Sequence, residues 1–391
     1  MHIDLNAFFA RAEEIRHPNY EGKPIVVGGS GARGVVSTAS YAARKYGIHS
    51  GMPLFQARRA CPDALFCPVD FPYYEMLSRS FRAYLGRYSS LVEPASIDEC
   101  YVDLTRQLYR SADPIPYLKA LQDGLLREIG LKSSIGLAAT KFLAKMGSDY
   151  KKPMGITIVR KKDIDALFGP LPIESFWGIG KKTSSRLREL GIRTIGSLKE
   201  SLLRAESGTL KVLGSFAPTC LLWLKGGGDD VVRSESEEAK SISRSITLGS
   251  DSDDDGLILD KLKEMSGEIA IALLSERKKA RTVTMTLRDP SFRTHSRSLT
   301  LEKGISTSQE IYEQGKGLYE SSFAGWTARL VGLGVSGLFD PREETVQMSF
   351  FDYPEFEKMD ATKLLVNEFN RRLKKGGKLM LAREAKKNGT E

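Results

Sequence analysis

The 391-residue chain reads as a multidomain α+β protein. Three observations predict that class. Short β-branched runs interleave with amphipathic stretches of helical length through residues 1–160, the pattern of sheet domains with packed helices. The texture then turns helical, with a boundary near 162. After "GGGDDVVRSESEEAK" at 226–240, too poor in apolar residues to pack and read as an exposed linker, a second interleaved unit fills 241–339. The length exceeds one ordinary core, so roughly two to four domains are expected.

The elements follow in order. "MHIDLNAFF" gives a short strand, and "RAEEIRHP" a helix stopped before Pro18. "KPIVVGG" is a strand ended by glycines, and "TASYAARKYGI" has helical composition from Thr38, with Gly47 as its stop. "SRSFRAYLGRYS" is an amphipathic helix leading into the strand-like "EPASIDECYVDLT". A helix through "PYLKALQDGLLREIG", the strand "LKSSIGLAAT", the helix "KFLAKMGSDYKK" and the strand "GITIVR" complete the first part. "KKDIDALFG", "GIGKKTSSRLRELGI" and "TCLLWLKGG" fit a small helical bundle. In the last unit the strand "SISRSITL" precedes a helix with Leu262, Met265, Ile269 and Leu273 on one face. Strands "TVTMTLRD" and "HSRSLTL", a helix through "SQEIYEQGKGLYESSF" and a strand "ARLVGLGVSGL" follow. Beyond Asp340 the chain is polar, apart from a weakly amphipathic helix around "DATKLLVNEFNRRL".

Composition is that of a globular protein, at 41% hydrophobic and 27% charged. No apolar run spans a bilayer and no leader opens the chain, so a cytoplasmic protein without a membrane partner is expected. Cys61, Cys67, Cys100 and Cys220 lack C-x-x-C spacing, which argues against a zinc site or a disulfide framework. A net charge of +9 favours polyanions such as nucleic acid, with a solvated basic surface as the plainer alternative.

"SIDECYVDLT" sets Asp98 beside Glu99 in a strand-like stretch, and burying ionised carboxylates is costly unless a cation meets them. Asp4 also follows an apolar start, so two strands deliver carboxylates near their ends. Three oxygen donors, with no His or Cys alongside, suit a hard cation such as Mg²⁺, which keeps substrate phosphates in its shell. Two such ions about 3.5–4 Å apart can clamp an in-line phosphoryl transfer. Adjacent strand residues face opposite sides, so the strand must bend or begin at Asp98 and Glu99 for both to share a site. An ordinary acidic pair in a turn is the alternative. Tyr41 and Arg44 on one helical turn, with Lys151 and Lys152 of "KKP", offer donors to a triphosphate, although such cations commonly face solvent.

Together these segments resemble the Y-family, translesion DNA polymerases, most closely their bacterial DNA polymerase IV branch. The resemblance rests on "HIDLNAFFA", "STASYAARKYGI", "EPASIDECYVDLT", "GLAATKFLAKMGSDYKKPMGI", "WGIGKKTSSRLRELGI" and "RLVGLGVSGL", and covers nearly all of residues 1–351. It implies a right-hand polymerase: a ferredoxin-like palm at 1–10 and 70–162, small fingers at 11–69, a helix-hairpin-helix thumb at 163–232, a linker at 233–240, a little finger at 241–339 and a tail at 340–391. It implies that Asp4, Asp98 and Glu99, with the backbone carbonyl of Leu5, hold two Mg²⁺ ions, for which Mn²⁺ can substitute. Thr38, Tyr41, Arg44 and Lys152 match positions that hold the incoming deoxynucleoside triphosphate. Phe9 matches a steric gate whose ring excludes a 2′-hydroxyl by clash. Val35, Ser37 and Gly51 match the roof over the nascent base pair, where small residues leave an open pocket, tolerant of damage and low in fidelity.

"GIGKKTSSRLRELGI" looks like a helix-hairpin-helix, in which Gly178 and Gly180 permit a tight turn facing a DNA phosphate and Lys181 and Lys182 add attraction. Arg244, Lys278, Lys279, Arg281, Arg293 and Arg297 are candidate contacts of the little finger with the DNA backbone. "QMSFF", with Gln347, Met348, Ser349, Phe350 and Phe351, resembles the bacterial peptide that binds a sliding clamp of the beta-subunit type. Leucines are more usual in that peptide, and a tail packed on its own domain is the alternative. Relatives commonly carry several residues before the equivalent of His2, so a start upstream of Met1 and a shortened first strand are also expected. The expected activity is template-directed attack of a primer 3′-hydroxyl on a deoxynucleoside triphosphate by a monomer bound to primer-template DNA, with pyrophosphate released. Two rivals remain: a deoxynucleotidyl transferase of restricted templating, and a catalytically silent scaffold for DNA and clamp.

Overall fold

In a computed structural model of the protein, residues 1–29, 31, 33–234 and 238–343 are described. The chain divides into two compact units, Met1–Glu238 and Ala239–Glu391.

The first unit opens with β1 (His2–Leu5), α1 (Phe8–Arg16), β2 (Ile25–Gly28), β3 (Val36–Ala39), α2 (Tyr41–Arg44), α3 (Leu54–Ala60) and β4 (Leu65–Pro68). It continues with α4 (Phe71–Gly86), β5 (Val92–Pro94), β6 (Glu99–Val102), α5 (Ile115–Ile129), β7 (Ser133–Ala138), α6 (Lys141–Tyr150) and β8 (Ile156–Val159). Five strands form a sheet in the order β5-β6-β1-β7-β8, and β3-β2-β4 form a second, smaller sheet. β1 is the centre of the larger sheet and pairs antiparallel with both β6 and β7. Its alternation separates two environments. Ile3 and Leu5 join Tyr74, Phe81 and Leu85 of α4 and Leu118, Leu121 and Leu125 of α5 in one buried core. His2 and Asp4 face the other way, toward α6.

Helix α6 begins where the Thr140 hydroxyl accepts the Leu143 amide, which caps the first turn. It lies close on the sheet because Gly136 of β7 has no side chain: an added β-carbon would collide with the Ala144 carbonyl and the Ser148 amide. The outer face of α6, through Phe142, Leu143 and Met146, joins the core of a helical segment. That segment comprises α7 (Ile164–Phe168), α8 (Lys181–Glu189), α9 (Ile195–Leu203), α10 (Ser207–Leu213) and α11 (Ala217–Leu224).

The second unit contains β9 (Ser241–Ser252), α12 (Asp255–Glu276), β10 (Lys279–Arg288), β11 (Thr294–Ile305), α13 (Ser308–Ser322) and β12 (Ala328–Phe339). Its antiparallel sheet runs β11-β10-β12-β9. Leu262, Met265, Ile269 and Leu273 are all buried, as their spacing predicts, against Val283, Met285, Leu287, Val331, Leu333 and Val335. In the middle of the sheet the registered partners on the opposite face are small: Ser243 with Gly334, Ser245 with Gly332, and Thr284 with Ser298, whose hydroxyls are 2.8 Å apart.

The structure departs from the sequence reading at several points. Thr38 lies in β3 rather than at the start of a helix, because Val36–Ala39 pairs with β2 and Ser40 caps a single helical turn from Tyr41. "EPASIDECYVDLT" is a hairpin rather than one strand: β5 and β6 pair antiparallel around a bend at Ala95–Asp98. Helices α3, α9 and α10 and strand β4 have no counterpart in the reading, since each is short and β4, with the sequence LFCP, carries no β-branched residue. The helix around 360–373 and the clamp-like residues 347–351 lie outside the described residues. Among the described residues no helix is long and apolar enough to cross a membrane.

Candidate active site

Asp4 and Glu99 are registered partners on β1 and β6, so their side chains leave the sheet together on the face under α6. The strand begins at Glu99, where the sequence required a bend or a start. Asp98 sits in the bend just before it, with its carbonyl accepting the Leu5 amide at 2.9 Å. Its carboxylate accepts the Ser96 hydroxyl at 2.6 Å instead of meeting the other two. Among the described residues no three His, Cys, Asp or Glu side chains stand together at metal-ligand spacing. The expected convergence of three carboxylates is therefore realised for two of them, and lysines complete the cluster.

Lys145 of α6 places its Nζ 2.7 Å from Glu99 Oε1 and 3.3 Å from Asp4 Oδ2. Lys152 donates to Asp4 Oδ2 at 2.6 Å, and both lysines reach Asp149, at 3.4 and 2.7 Å. Mutual repulsion of the carboxylates is thereby offset by two ammonium groups. Burial, and then the neighbouring Glu99, push the Asp4 carboxyl up to about 7. Burial opposes ionisation of Glu99 as well, but hydrogen bonding from His2, Asp4 and Lys145 outweighs it and holds Glu99 below the usual carboxylate range.

His2 contradicts the expectation that no histidine stands beside these donors. Its ring is fully buried, with Nδ1 2.8 Å from the Ser148 hydroxyl and Nε2 3.4 Å from Glu99 Oε2. Burial lowers its pKa, which favours neutral imidazole. Sequence reasoning missed His2, Lys145, Ser148 and Asp149. The available signal was the Lys145, Asp149 and Lys152 spacing of i, i+4 and i+7, which aligns charge along one helical face.

The donor set fits a hard divalent cation. It is oxygen-only at Asp4 and Glu99, with a third carboxylate adjacent in sequence. The neighbouring Cys100 points into the core, where burial pushes its thiol up to about 12, so no thiolate competes.

Tyr41 opens α2, and its phenol is raised chiefly by burial, with the charges of Arg44, Lys152 and Asp4 also acting on it. Arg44 lies over the Tyr41 ring at 4.6 Å and donates to the Ala39 carbonyl. Of the two phenylalanines, Phe8 is the core residue at 2% exposure. Phe9 is half-buried and stacks on Tyr74, ring centroids 4.4 Å apart, while Tyr74 donates to Glu13. In the small sheet Val35 is exposed and bridges Pro53, Ser37 and Thr38 lie on β3, and Gly51 is exposed at φ +81°.

Gly178 adopts φ +96°, and a β-carbon there would press on Phe216 at 2.8 Å, so the turn requires glycine. Gly180 caps α8, whose first turn exposes Lys181 and Lys182. The six candidate cations of the second unit do not form one patch. Arg244 pairs with Glu268 of α12 and Arg297 lies over Phe323, so both emerge on the helix side of the sheet. Arg281 lies over Phe339, Lys278 precedes β10 and Lys279 opens it, and Arg293 is in the turn after it.

Comparison with known proteins agrees with this arrangement. The impB/mucB/samB family matches residues 3–149, its C-terminal domain matches 239–350, and the IMS family helix-hairpin-helix motif matches 161–192. DNA polymerase IV 1 of Bacillus subtilis (strain 168) is 34% identical over 398 residues, spanning 100% of this chain and 95% of the relative. DNA polymerase IV of Methanoculleus marisnigri is 37% identical over 346 residues, spanning 86% and 94%. Among solved structures, a Y-family DNA polymerase chimera of Dbh and Dpo4 superposes with a TM-score of 0.78 at 27% identity, over 87% of this chain and 98% of that one. An insertion ternary complex of Dbh DNA polymerase gives 0.60 at 27% identity over the same shares. The chain belongs to the impB/mucB/samB family of Y-family DNA polymerases, enzymes of translesion DNA synthesis that use divalent metal ions, with their palm, helix-hairpin-helix thumb and little finger.

Proposed function

We propose that the α6-facing side of β1 and β6 is the site at which a primer 3′-hydroxyl attacks a deoxynucleoside triphosphate, releasing pyrophosphate. The observation that supports this most is the register of Asp4 opposite Glu99, with cationic side chains drawn to their oxygens. Asp4, Asp98, Glu99 and the Leu5 carbonyl are the residues for two Mg²⁺ ions, with Mn²⁺ able to replace them. When bound, such ions activate the attacking oxygen and neutralise charge on the leaving group. Asp98 reaches the site by giving up its Ser96 partner, a rotation about its own side chain.

Tyr41, Arg44, Thr38 and Lys152 hold the triphosphate: Arg44 by its planar fork, Lys152 as a point charge, Tyr41 through its hydroxyl. Phe9, braced by Tyr74, lies under the sugar and excludes a 2′-hydroxyl. Val35, Ser37 and Gly51 roof the base pair loosely, which costs fidelity and admits damaged templates. Positioning and electrostatics supply most of the rate. We assign the palm to 1–10 and 70–162, the fingers to 11–69, the thumb to 163–232 and the little finger to 241–339. The amides after Gly178 with Lys181 and Lys182, and the hydroxyl-lined face of the second unit, grip primer-template DNA by its backbone. Residues 347–351 bind a sliding clamp, and the enzyme works as a cytoplasmic monomer.

Primer extension with Mg²⁺ by wild type, Asp4→Asn, Asp98→Ala and Glu99→Gln tests the assignment. Loss of extension in all three variants is expected, and extension equal to wild type by any of them removes that carboxylate from the site.

A further inference from the structure

We propose that Lys145 is a built-in counter-ion that takes the charge position of a divalent cation between Asp4 and Glu99 and competes with that cation for them. The inference rests on the reading of these carboxylates as cation ligands, and adds what must move when the cation arrives.

Three observations carry it. The Lys145 ammonium bridges the two strands, 2.7 Å from Glu99 Oε1 and 3.3 Å from Asp4 Oδ2, where a shared cation would lie. Its helix lies directly on the sheet at Gly136, where an added β-carbon would collide with the Ala144 carbonyl and the Ser148 amide, so the Lys145 backbone is held close over the two carboxylates. The side chain nevertheless has somewhere to go. Asp149, one turn along the same helix, stands 3.4 Å from the same ammonium and is 44% exposed. Lys152 also divides itself between Asp4 and Asp149. Asp149 is therefore the common landing site for both lysines once Asp4 and Glu99 are engaged elsewhere. An ammonium and a divalent ion on the same oxygens repel strongly in a partly buried site, so binding the ion and shifting Lys145 to Asp149 are one event.

A purely structural salt bridge would predict that losing Lys145 loosens the site and weakens cation binding. A competing counter-ion predicts the reverse. With Lys145→Met, the protein without Mg²⁺ should melt lower than wild type, while Mg²⁺ should bind roughly tenfold more tightly. Lys145→Arg, which keeps the charge, should stay near wild type. Asp149→Asn should weaken Mg²⁺ binding several-fold, because the displaced lysines lose their landing site.

The experiment is thermal melting and calorimetric titration of the full chain with Mg²⁺, without DNA or nucleotide, using wild type, these three variants and Asp4→Asn. Tighter binding by Lys145→Met together with weaker binding by Asp149→Asn is the expected result. Equal or weaker binding by Lys145→Met, with wild type responding and Asp4→Asn not, overturns the counter-ion. A wild-type response that Asp4→Asn leaves intact overturns the underlying site assignment instead. Asp149 lies at the surface of α6, so its arm decides the matter even where Lys145→Met does not fold: unchanged or tighter binding there also overturns the proposal.

Discussion

Gly147 of α6 touches Gly136 of β7: a β-carbon on Gly147 would stand 3.3 Å from the Gly136 α-carbon. This contact sets the height of α6 above the sheet and therefore the reach of Lys145 and Lys152 to Asp4. Gly136→Ala forces the helix away and should destabilise the protein by about 3 kcal/mol, with loss of primer extension. Urea denaturation measures the first effect, and a wild-type midpoint would show that the seat is not tight. Gly147→Ala, whose nearest neighbour is the tip of Val159 at 3.0 Å and whose contact with the Gly136 α-carbon is the milder 3.3 Å, should cost less.

The Asp4 carboxyl, pushed up to about 7 against an ordinary 3.8, makes stability depend on pH. A group with a raised folded pKa contributes stability that is complete below its unfolded value and lost as pH rises through the folded one. The Asp4 contribution should thus decline between about pH 4 and 7 in a chelator. Glu99, held low, acts in the opposite sense at the acid end of that window, where its unfolded carboxyl, ordinarily near 4.5, still binds protons that the folded one has lost. His2 and the buried Met1 amine, the latter lowered to about 6, also act in the opposite sense to Asp4. The difference in melting temperature between wild type and Asp4→Asn isolates the effect, and a difference independent of pH would refute it.

Phe9→Ala removes the stacking on Tyr74 and, on the proposed function, the ring under the sugar. Discrimination between deoxy- and ribonucleotides, read as the ratio of kcat/KM values, should fall by about 10- to 100-fold. Stability should fall by roughly 1–2 kcal/mol, since the ring is only half-buried. Unchanged sugar selection would return Phe9 to a packing role.

Lys141 fastens the segment after α11 to the palm. Its Nζ lies 2.6 Å from Glu93 and 3.4 Å from Asp229, while the Arg233 amide donates to Glu93 at 2.6 Å. Lys141→Met leaves a half-buried Glu93 without its cation, and should cost roughly 2 kcal/mol. Hydrogen exchange read by mass spectrometry should show faster exchange across residues 229–234, and wild-type protection there would rule out the fastening.

Replacing Lys181 and Lys182 together by Ala should weaken DNA binding and reduce the slope of log affinity against log salt by up to about 2. An unaltered slope would mean that neither lysine meets a phosphate.

Much of this architecture is legible in the residues themselves. Leu262, Met265, Ile269 and Leu273 declare a buried helical face because 3.6-residue periodicity survives any tertiary context. The start of β6 at Glu99 matches the break that adjacent carboxylates need in order to share a site, although the Asp98 carboxylate itself turns to Ser96. Other features depend on which strand lies beside which. The hairpin within "EPASIDECYVDLT" is invisible where its bend carries no glycine. Lys145 and His2 look like an ordinary surface lysine and an ordinary strand residue until β1, β6 and α6 are brought together. Arg244 and Arg297 look equally fit for DNA, but strand alternation sends both to the side already occupied by helices.

The carpet of serine, threonine and glycine on the second unit bears on movement. Each hydroxyl can donate or accept and none protrudes far, so a duplex lying on it meets much the same partners after advancing by one base pair. If this face is the floor for DNA, as proposed above, it would hold the duplex without marking any one register as preferred, and each forward step would break no bond that could not be remade.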